Sequence, residues 1–357
     1  MKKMKFFCLI LSALYIAFTL ASCADKSWSL KTSNSSLSPG SFILLEMDAY
    51  YAAGQKVSEA NPNAKDVLKE KVDDQPANEW IRNKAIDEGK FLLAIKKLFD
   101  ENGLSLTDEE QKKAENAGIK QWRSRGKTFE DLGVGKDSFL EAKSIIPAKK
   151  DKLFEAIYGK DGSNPVNDEN LKSYYEDNYT HYTTLSKLLT NPAQDGGQAP
   201  QPLTDEEKAA AKAKFDEYVN KLNDGEDIKN IASQFKTDEA MKEEEDPLMS
   251  LTEKSDQLTL PEAANNKLKE LEIGKAAVVE VEADSTLYLI QKQDVKTKSS
   301  EMLEDATERD SVLHEQSKAN FDELIKDQVS QMDISVNYAA INQHPPSIFQ
   351  PKNKKKK

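Results

Sequence analysis

The chain has 357 residues, of which 38% are hydrophobic and 31% charged, and it carries a formal net charge of −12. That length accommodates two domains or more, and the acidic balance argues against nucleic acid as a partner. The only cysteines are Cys8 and Cys23, and the only histidines, His181, His314 and His344, have no metal-ligand spacing; nothing points to a metal or other cofactor, and a thiolate metal site is excluded.

Lys2, Lys3 and Lys5 give the N-terminus positive charge, and Phe6 to Leu20 is an almost unbroken apolar run. A membrane-spanning helix needs roughly 20 apolar residues, so the run is short for a span. A basic start, an apolar stretch and then small residues predict an export signal over 1–22. Its end, Leu20-Ala21-Ser22-Cys23, resembles the bacterial lipobox. That resemblance implies cleavage before Cys23 and lipidation of its sulfur. The protein would then be held at the extracytoplasmic face of the cell membrane, where two acyl chains anchor stably and one does not. Cys8 would leave with the signal, so no disulfide would remain. Residues 23–41, rich in Ser, Thr, Asn, Pro and Gly from Ser27 onward, read as a tether.

Residues 42–166 read as helical. Phe42 to Ala53 is apolar enough to pack. Trp80 to Phe99 carries Ile81, Ala85, Phe91, Leu92, Ile95, Leu98 and Phe99 mostly three and four residues apart, the spacing of a core-facing stripe. Gly103 follows as a stop. Thr107 to Glu110 is a capping box that opens another helix. Gly133-Val134-Gly135 breaks the chain before a further helix from Lys136 to Ile146.

A different pattern occupies residues 167–298. Asn167 caps a short helix over Leu171 to Asp177, and Thr183 to Thr190 reads as a strand. Asn191 to Pro202 is a loop, after which Thr204 to Glu207 forms a second capping box. The helix it opens puts Phe215, Tyr218, Val219 and Leu222 on one face, and Asn223-Asp224-Gly225 turns the chain. Ile228 to Phe235 and Leu260 to Leu271 read as further helices; Ala277 to Val281 and Leu287 to Gln291 read as strands. The order strand, helix, helix, helix, strand, strand suits a small α+β domain with an antiparallel sheet, and the fold class predicted for the chain is α+β.

A long polar helix is expected from Ser300 to Gln331, with a partial apolar stripe that includes Phe321, Leu324, Ile325 and Val329, and a short strand at Ile334-Ser335-Val336. Residues 343–357, Pro-rich and then basic, read as disordered.

Several stretches of residues 167–294 resemble, in order, the parvulin-type prolyl isomerase module of the extracytoplasmic foldases of the PrsA and SurA kind. They are the linker helix Val166 to Asn178, the turn Lys221-Leu222-Asn223-Asp224-Gly225-Glu226-Asp227-Ile228 and the helix Ile231 to Asp238. Leu260-Pro261-Glu262-Ala263-Ala264 and Leu271-Glu272-Ile273-Gly274-Lys275 complete the series. Residues 42–160 are similar, more loosely, to the helical chaperone domain of the same foldases. The resemblance implies that residues 299–342 return to complete that helical domain, with the apolar stripe packed against Phe91 to Phe99.

Parvulins rotate an X–Pro peptide bond. The uncatalysed barrier is about 18–20 kcal/mol, and the isomerisation takes tens to hundreds of seconds, slow enough to limit folding. Family members use an apolar proline pocket and a hydrogen-bonded cluster built around two histidines. Here the first histidine position falls at Ser186 without gaps, or at Lys187 with a one-residue shift; the second falls at Tyr288. The pocket methionine and phenylalanine fall at Thr259 and Ala263, and the glycine-bearing turn before them reads Glu245-Asp246-Pro247-Leu248. His181 lies ahead of the family position and reads as a lone surface histidine. The resemblance therefore implies a parvulin-like fold with its catalytic positions degenerate.

What such a chain would retain is binding of unfolded or translocating polypeptides at the membrane surface. Candidate contacts are Phe42, Tyr50, Tyr51, Trp80 and Trp122, with core packing the competing role for each. Two rivals stand beside a chaperone: an active isomerase that uses Ser186, Lys187 and Tyr288, and a surface lipoprotein with one fixed partner.

Overall fold

The computed structural model describes residues 27–191 and 201–350. The export signal over 1–22, Cys23 and the final basic residues 351–357 lie outside the described residues. The fold is α+β, and the chain divides into two compact units. Unit 1 combines the residues up to Pro165 with those from Ser317 onward; unit 2 is Val166–Gln316.

Unit 1 begins with two short antiparallel strands, β1 (Leu30–Lys31) and β2 (Ser36–Leu37), in which Leu30 lies opposite Leu37. Both leucines are fully buried. Ser29 is buried as well, and its hydroxyl donates to the Leu37 carbonyl at 3.0 Å. The stretch expected as a tether is therefore folded from Ser29 onward, because its two leucines bury themselves while its hydroxyls satisfy the backbone.

Helix α1 (Pro39–Ala60) follows. Ser38 caps it by accepting the Ser41 N–H, and Pro39 occupies the first turn, where a missing N–H costs nothing. Strands β3 (Lys71–Val72) and β4 (Gln75–Pro76) form a hairpin turned by Asp73 and Asp74, both at positive φ, as a two-residue loop of this kind requires. In α2 (Ala77–Glu101) the predicted stripe is buried at Ile81, Ala85, Ile95, Leu98 and Phe99. Gly89 lets the Leu30 side chain approach α2; a Cβ at Gly89 would lie 3.1 Å from it.

Helix α3 (Asp108–Asp131) opens with the expected capping box. The Thr107 N–H donates to Glu110 at 2.7 Å, and the Glu110 N–H donates to the Thr107 hydroxyl at 3.2 Å. After Gly133, at φ +92°, come α4 (Lys136–Leu140), a wide π-turn (Glu141–Ile145) and α5 (Ile146–Tyr158). The helical run thus extends past Ile146. Pro147 has no N–H and its ring crowds the preceding turn; the looser π-turn just before it lets the helix continue. Ile43 and Leu44 of α1 pack with Phe129, Val134, Phe139 and Ala142, while Ala49, Tyr50 and Ala53 pack with Val72, Ala77 and Ile81. Between these clusters the fully buried Glu46 accepts from Arg82 Nε at 2.7 Å.

Unit 2 starts with α6 (Asp168–Asn178), capped by Asn167 as predicted. Strand β5 (Tyr179–Leu188) begins earlier than the sequence pattern suggests. A small hairpin, β6 (Thr190–Asn191) and β7 (Gln201–Pro202), leads to α7 (Asp205–Asn223), whose capping box pairs Thr204 with Glu207. Gly225, at φ +101°, turns the chain into α8 (Ile228–Asp238). Then come β8 (Met249–Lys254), α9 (Glu262–Glu270), β9 (Ala276–Val281) and β10 (Thr286–Gln293). The sheet is antiparallel in the order β8-β5-β10-β9. On one of its faces Leu185, Leu287 and Leu289 pack with Phe215, Tyr218, Ile231 and Phe235 of α7 and α8. On the other, Tyr182 and Ile290 pack with Leu260, Ala264 and Leu268 around α9.

Where one long helix is expected from Ser300 to Gln331, the chain forms α10 (Ser299–Glu304) and α11 (Ala306–Ser330). Asp305 separates them: its backbone is extended and its carboxylate accepts the N–H groups of Thr307 and Glu308 at 2.9 and 3.0 Å.

The returning residues complete unit 1. The Phe321 ring lies 5.2 Å from that of Phe154 and 6.2 Å from that of Tyr158, edge to face, so its aromatic partners are on α5. The Lys150 ammonium lies 5.5 Å from the Phe91 ring and 5.9 Å from that of Phe321. Strand β11 (Ser335–Val336), as expected, is extended, and it pairs antiparallel with β1, Val336 opposite Leu30. Beyond α12 (Tyr338–Ile341), the beginning of the stretch expected to be disordered is folded: Pro346 is buried, and the Phe349 ring lies 5.7 Å from that of Tyr50.

Candidate functional site

Of the positions singled out by the sequence, Ser186, Tyr288, Thr259 and Ala263 lie toward the α9 side of the unit 2 sheet. Side chains alternate along a strand, so Tyr182, Thr184, Ser186 and Leu188 of β5 share that face. Ser186 is the Cα partner of Tyr288 on β10. Lys187 projects to the opposite face, where it forms an ion pair with Glu239 just beyond α8. Ser186 thus shares a face with Tyr288, and Lys187 does not. Thr259 and Ala263 flank the start of α9, and both are exposed.

This face carries polar groups that sequence reading does not single out. The buried Tyr182 hydroxyl donates to Glu253 Oε2 at 2.6 Å. Glu253 also accepts from the Thr259 hydroxyl at 2.8 Å and from its N–H at 3.0 Å. Burial, followed by the hydrogen bond to Glu253, pushes the Tyr182 phenol up to about 12. Burial also pushes Glu253 upward, but its hydrogen bonds outweigh that and hold its carboxyl below the usual range. Tyr288 donates to Asp284 at 3.1 Å, and burial and then that bond raise its pKa. Glu253 escapes notice in the sequence because β8 does. That edge strand reads Met-Ser-Leu-Thr-Glu-Lys, with too little apolar alternation to register.

Beyond the cover of α9 the face is open, and it exposes two large apolar side chains beside Ser186. Leu188 is 64% exposed and Met249, the partner of Thr184, is 52% exposed. Among the described residues, no strand position on this face is a histidine. His181 is on the other side of β5 and is buried, only 7% exposed, rather than a surface residue. Its Nδ1 lies 3.0 Å from both the Leu251 carbonyl and the Thr252 hydroxyl of β8. Burial lowers its pKa, so the ring is neutral and serves the strand pairing.

The candidate client aromatics of unit 1 divide in the same way. Phe42 and Tyr50 are buried core residues. Trp122 is packed on Phe129 and Phe139, and Trp80 donates to Asp73 at 2.9 Å. Tyr51 alone of the five is openly exposed.

These features define an α+β protein with a helical unit and a four-stranded antiparallel sheet unit. None of its described helices is long and apolar enough to cross a membrane. No family model matches the chain, and no curated protein matches it in sequence. Among solved structures it is similar to the foldase protein PrsA from Streptococcus pneumoniae, at 16% identity and a TM-score of 0.34, over 74% of this chain and 94% of that one. It is similar to PrsA from Bacillus subtilis at 17% identity and a TM-score of 0.27, over 76% of this chain and 94% of the other. The peptidylprolyl isomerase PrsA from Bacillus cereus shares 16% identity at a TM-score of 0.29, over 92% of this chain and all of its own.

Proposed function

We propose that this protein is a lipid-anchored extracytoplasmic chaperone that binds unfolded polypeptides, and that its sheet unit is a parvulin-like module without prolyl isomerase activity. The observation that carries the reading is the α9 face of the sheet. Ser186 and Tyr288 are cross-strand partners there, with Leu188 and Met249 exposed on the same face and no imidazole. Such a surface offers apolar contact to an unfolded chain. It lacks the imidazole pair around which the family's catalytic cluster is built, and exposed Thr259 and Ala263 supply no walls to desolvate a proline ring.

The test measures two things on one preparation. The chain from residue 24 onward should suppress aggregation of several unrelated denatured proteins. On proline peptides it should show a rate near background beside an active parvulin. Suppression confined to one client would favour a dedicated interaction protein. A rate within about tenfold of the control, some 1.4 kcal/mol in barrier, that is lost in Glu253→Gln or Tyr288→Phe would favour a rewired isomerase.

Anchoring rests on Leu20-Ala21-Ser22-Cys23. Cys23→Ala should abolish incorporation of labelled fatty acid and release the chain or leave it unprocessed; label on the variant would refute the anchor.

A further inference from the structure

Unit 1 holds an open groove of about 560 Å³ between α3 and α5. Leu106, Ala114, Ala117, Pro147 and Ala148 give it a mostly apolar lining of short side chains. Its origin is local. At Gly118 the α3 backbone comes so close to the π-turn that a Cβ there would lie 2.2 Å from the Ser144 hydroxyl and 2.6 Å from Leu140. The two elements touch at that point, and the alanines around it leave space. The π-turn itself bonds the Ile146 N–H to the Glu141 carbonyl, and Pro147 just after it donates nothing. π-turns inside helices recur at functional sites.

The charges around the groove divide into paired and unpaired. Lys152 bridges to Glu110 at 2.6 Å, and Lys143 pairs with Asp48. Among the described residues Lys113, Asp151 and Glu155 have no ion-pair partner. Asp151 and Glu155, four residues apart, lie along one stripe of α5, so the uncompensated charge on the groove wall is mainly negative. The chain's net charge of −12 further favours encounter with basic segments.

We propose that this groove binds a short apolar segment of an unfolded polypeptide whose flanking lysine or arginine is set against Asp151 and Glu155. The assignment rests on the chaperone reading and supplies it with a site and a preference.

The test uses the full chain from residue 24 and two fluorescent peptides that share one apolar stretch, ended by either lysines or glutamates. Reduced, carboxymethylated α-lactalbumin serves as a general unfolded client. The lysine peptide should bind roughly fivefold more tightly, the scale of two partly exposed ion pairs. The double variant Asp151→Asn, Glu155→Gln should erase that preference. Ala117→Trp, which fills the groove from an exposed helix position, should weaken both peptides by about tenfold or more. Should Ala117→Trp fail to fold, benzoylphenylalanine placed at Lys113 should crosslink the lysine peptide. Equal binding of the two peptides, full binding by folded Ala117→Trp, or absence of the crosslink overturns the groove assignment. In each of those cases wild-type capture of α-lactalbumin leaves the chaperone reading standing. Capture of neither peptide nor α-lactalbumin defeats both. Dimerisation lost in Ala117→Trp would assign the groove to a second copy of the chain and overturn the proposal.

Discussion

Ser186 and Tyr288 sit opposite one another on β5 and β10, in an antiparallel register that continues to Leu185 opposite Leu289 and Thr184 opposite Ile290. On the reading proposed above, the two positions keep the register of a paired site and lack its side-chain chemistry. The double variant Ser186→His, Tyr288→His should therefore fold but gain less than about tenfold in isomerisation rate, since Thr259 and Ala263 still provide no proline pocket. Addition of Thr259→Met and Ala263→Phe is the change expected to raise the rate. Full activity from the histidines alone would contradict this account.

Glu46 should make unit 1 sensitive to pH. Burial raises its carboxyl from the usual 4.5 to about 7, against the pull of Arg82. Between those values the native state holds a proton that the unfolded chain has released. Its contribution is thus complete below about pH 4.5 and is lost as pH rises through about 7. Glu46→Gln should flatten this part of the stability profile. Arg82→Met removes the pull that holds this carboxyl down, so it should move the loss of stability to higher pH. Tryptophan fluorescence during urea unfolding reads the effect selectively, because Trp28, Trp80 and Trp122 all belong to unit 1.

His181 acts in the opposite direction in unit 2. Burial lowers its pKa below the ordinary 6.5, so the unfolded chain takes up a proton more readily than the native one. Stability should fall as pH drops below about 6.5. His181→Gln keeps a donor near the Leu251 carbonyl and should remove that acid sensitivity. Amide exchange along β5 and β8 is the measurement; an unchanged profile would mean that other groups set it.

Phe321 should be a main support of unit 1. Its ring meets Phe154 and Tyr158 edge to face. Phe321→Ala should cost about 3–5 kcal/mol and lower the transition seen by tryptophan fluorescence. Exchange protection in the unit 2 sheet should be little changed.

Helix starts were the most legible part of the sequence. Thr107, Asn167 and Thr204 all cap as predicted, accepting the N–H groups of Glu110, Asn170 and Glu207, because capping is a local hydrogen-bond pattern written in adjacent residues. The apolar runs of β9 and β10 were readable for a similar reason. Polar segments folded by distant partners were not. Ser29 to Leu37 looks like linker until β11 and α2 are in place to receive Leu30. Strand β8 looks like loop until β5 pairs with it. At the site, alignment singled out Ser186 and Tyr288, which the register makes cross-strand partners, whereas Glu253 and the reversed facing of Lys187 depend on strand pairing and pleat. The groove of unit 1 depends on the close approach of α3 and the π-turn at Gly118, which no local pattern announces.

The pairing of Leu30 with Val336 also sets an order of events in time. A chain that emerges N-terminus first can assemble the unit 2 sheet as soon as residue 293 is free, because every strand of that sheet lies in one continuous stretch. Unit 1 must wait: β1 lacks a neighbour on one side, and Phe154 and Tyr158 lack Phe321, until nearly all of the chain is out. During that interval the apolar surfaces of α1, α2 and α5 are only partly covered, and closing so long a loop is slow. The unit proposed to shelter unfolded segments is thus the last part of its own chain to finish folding, and for that period it has the same vulnerability as its clients.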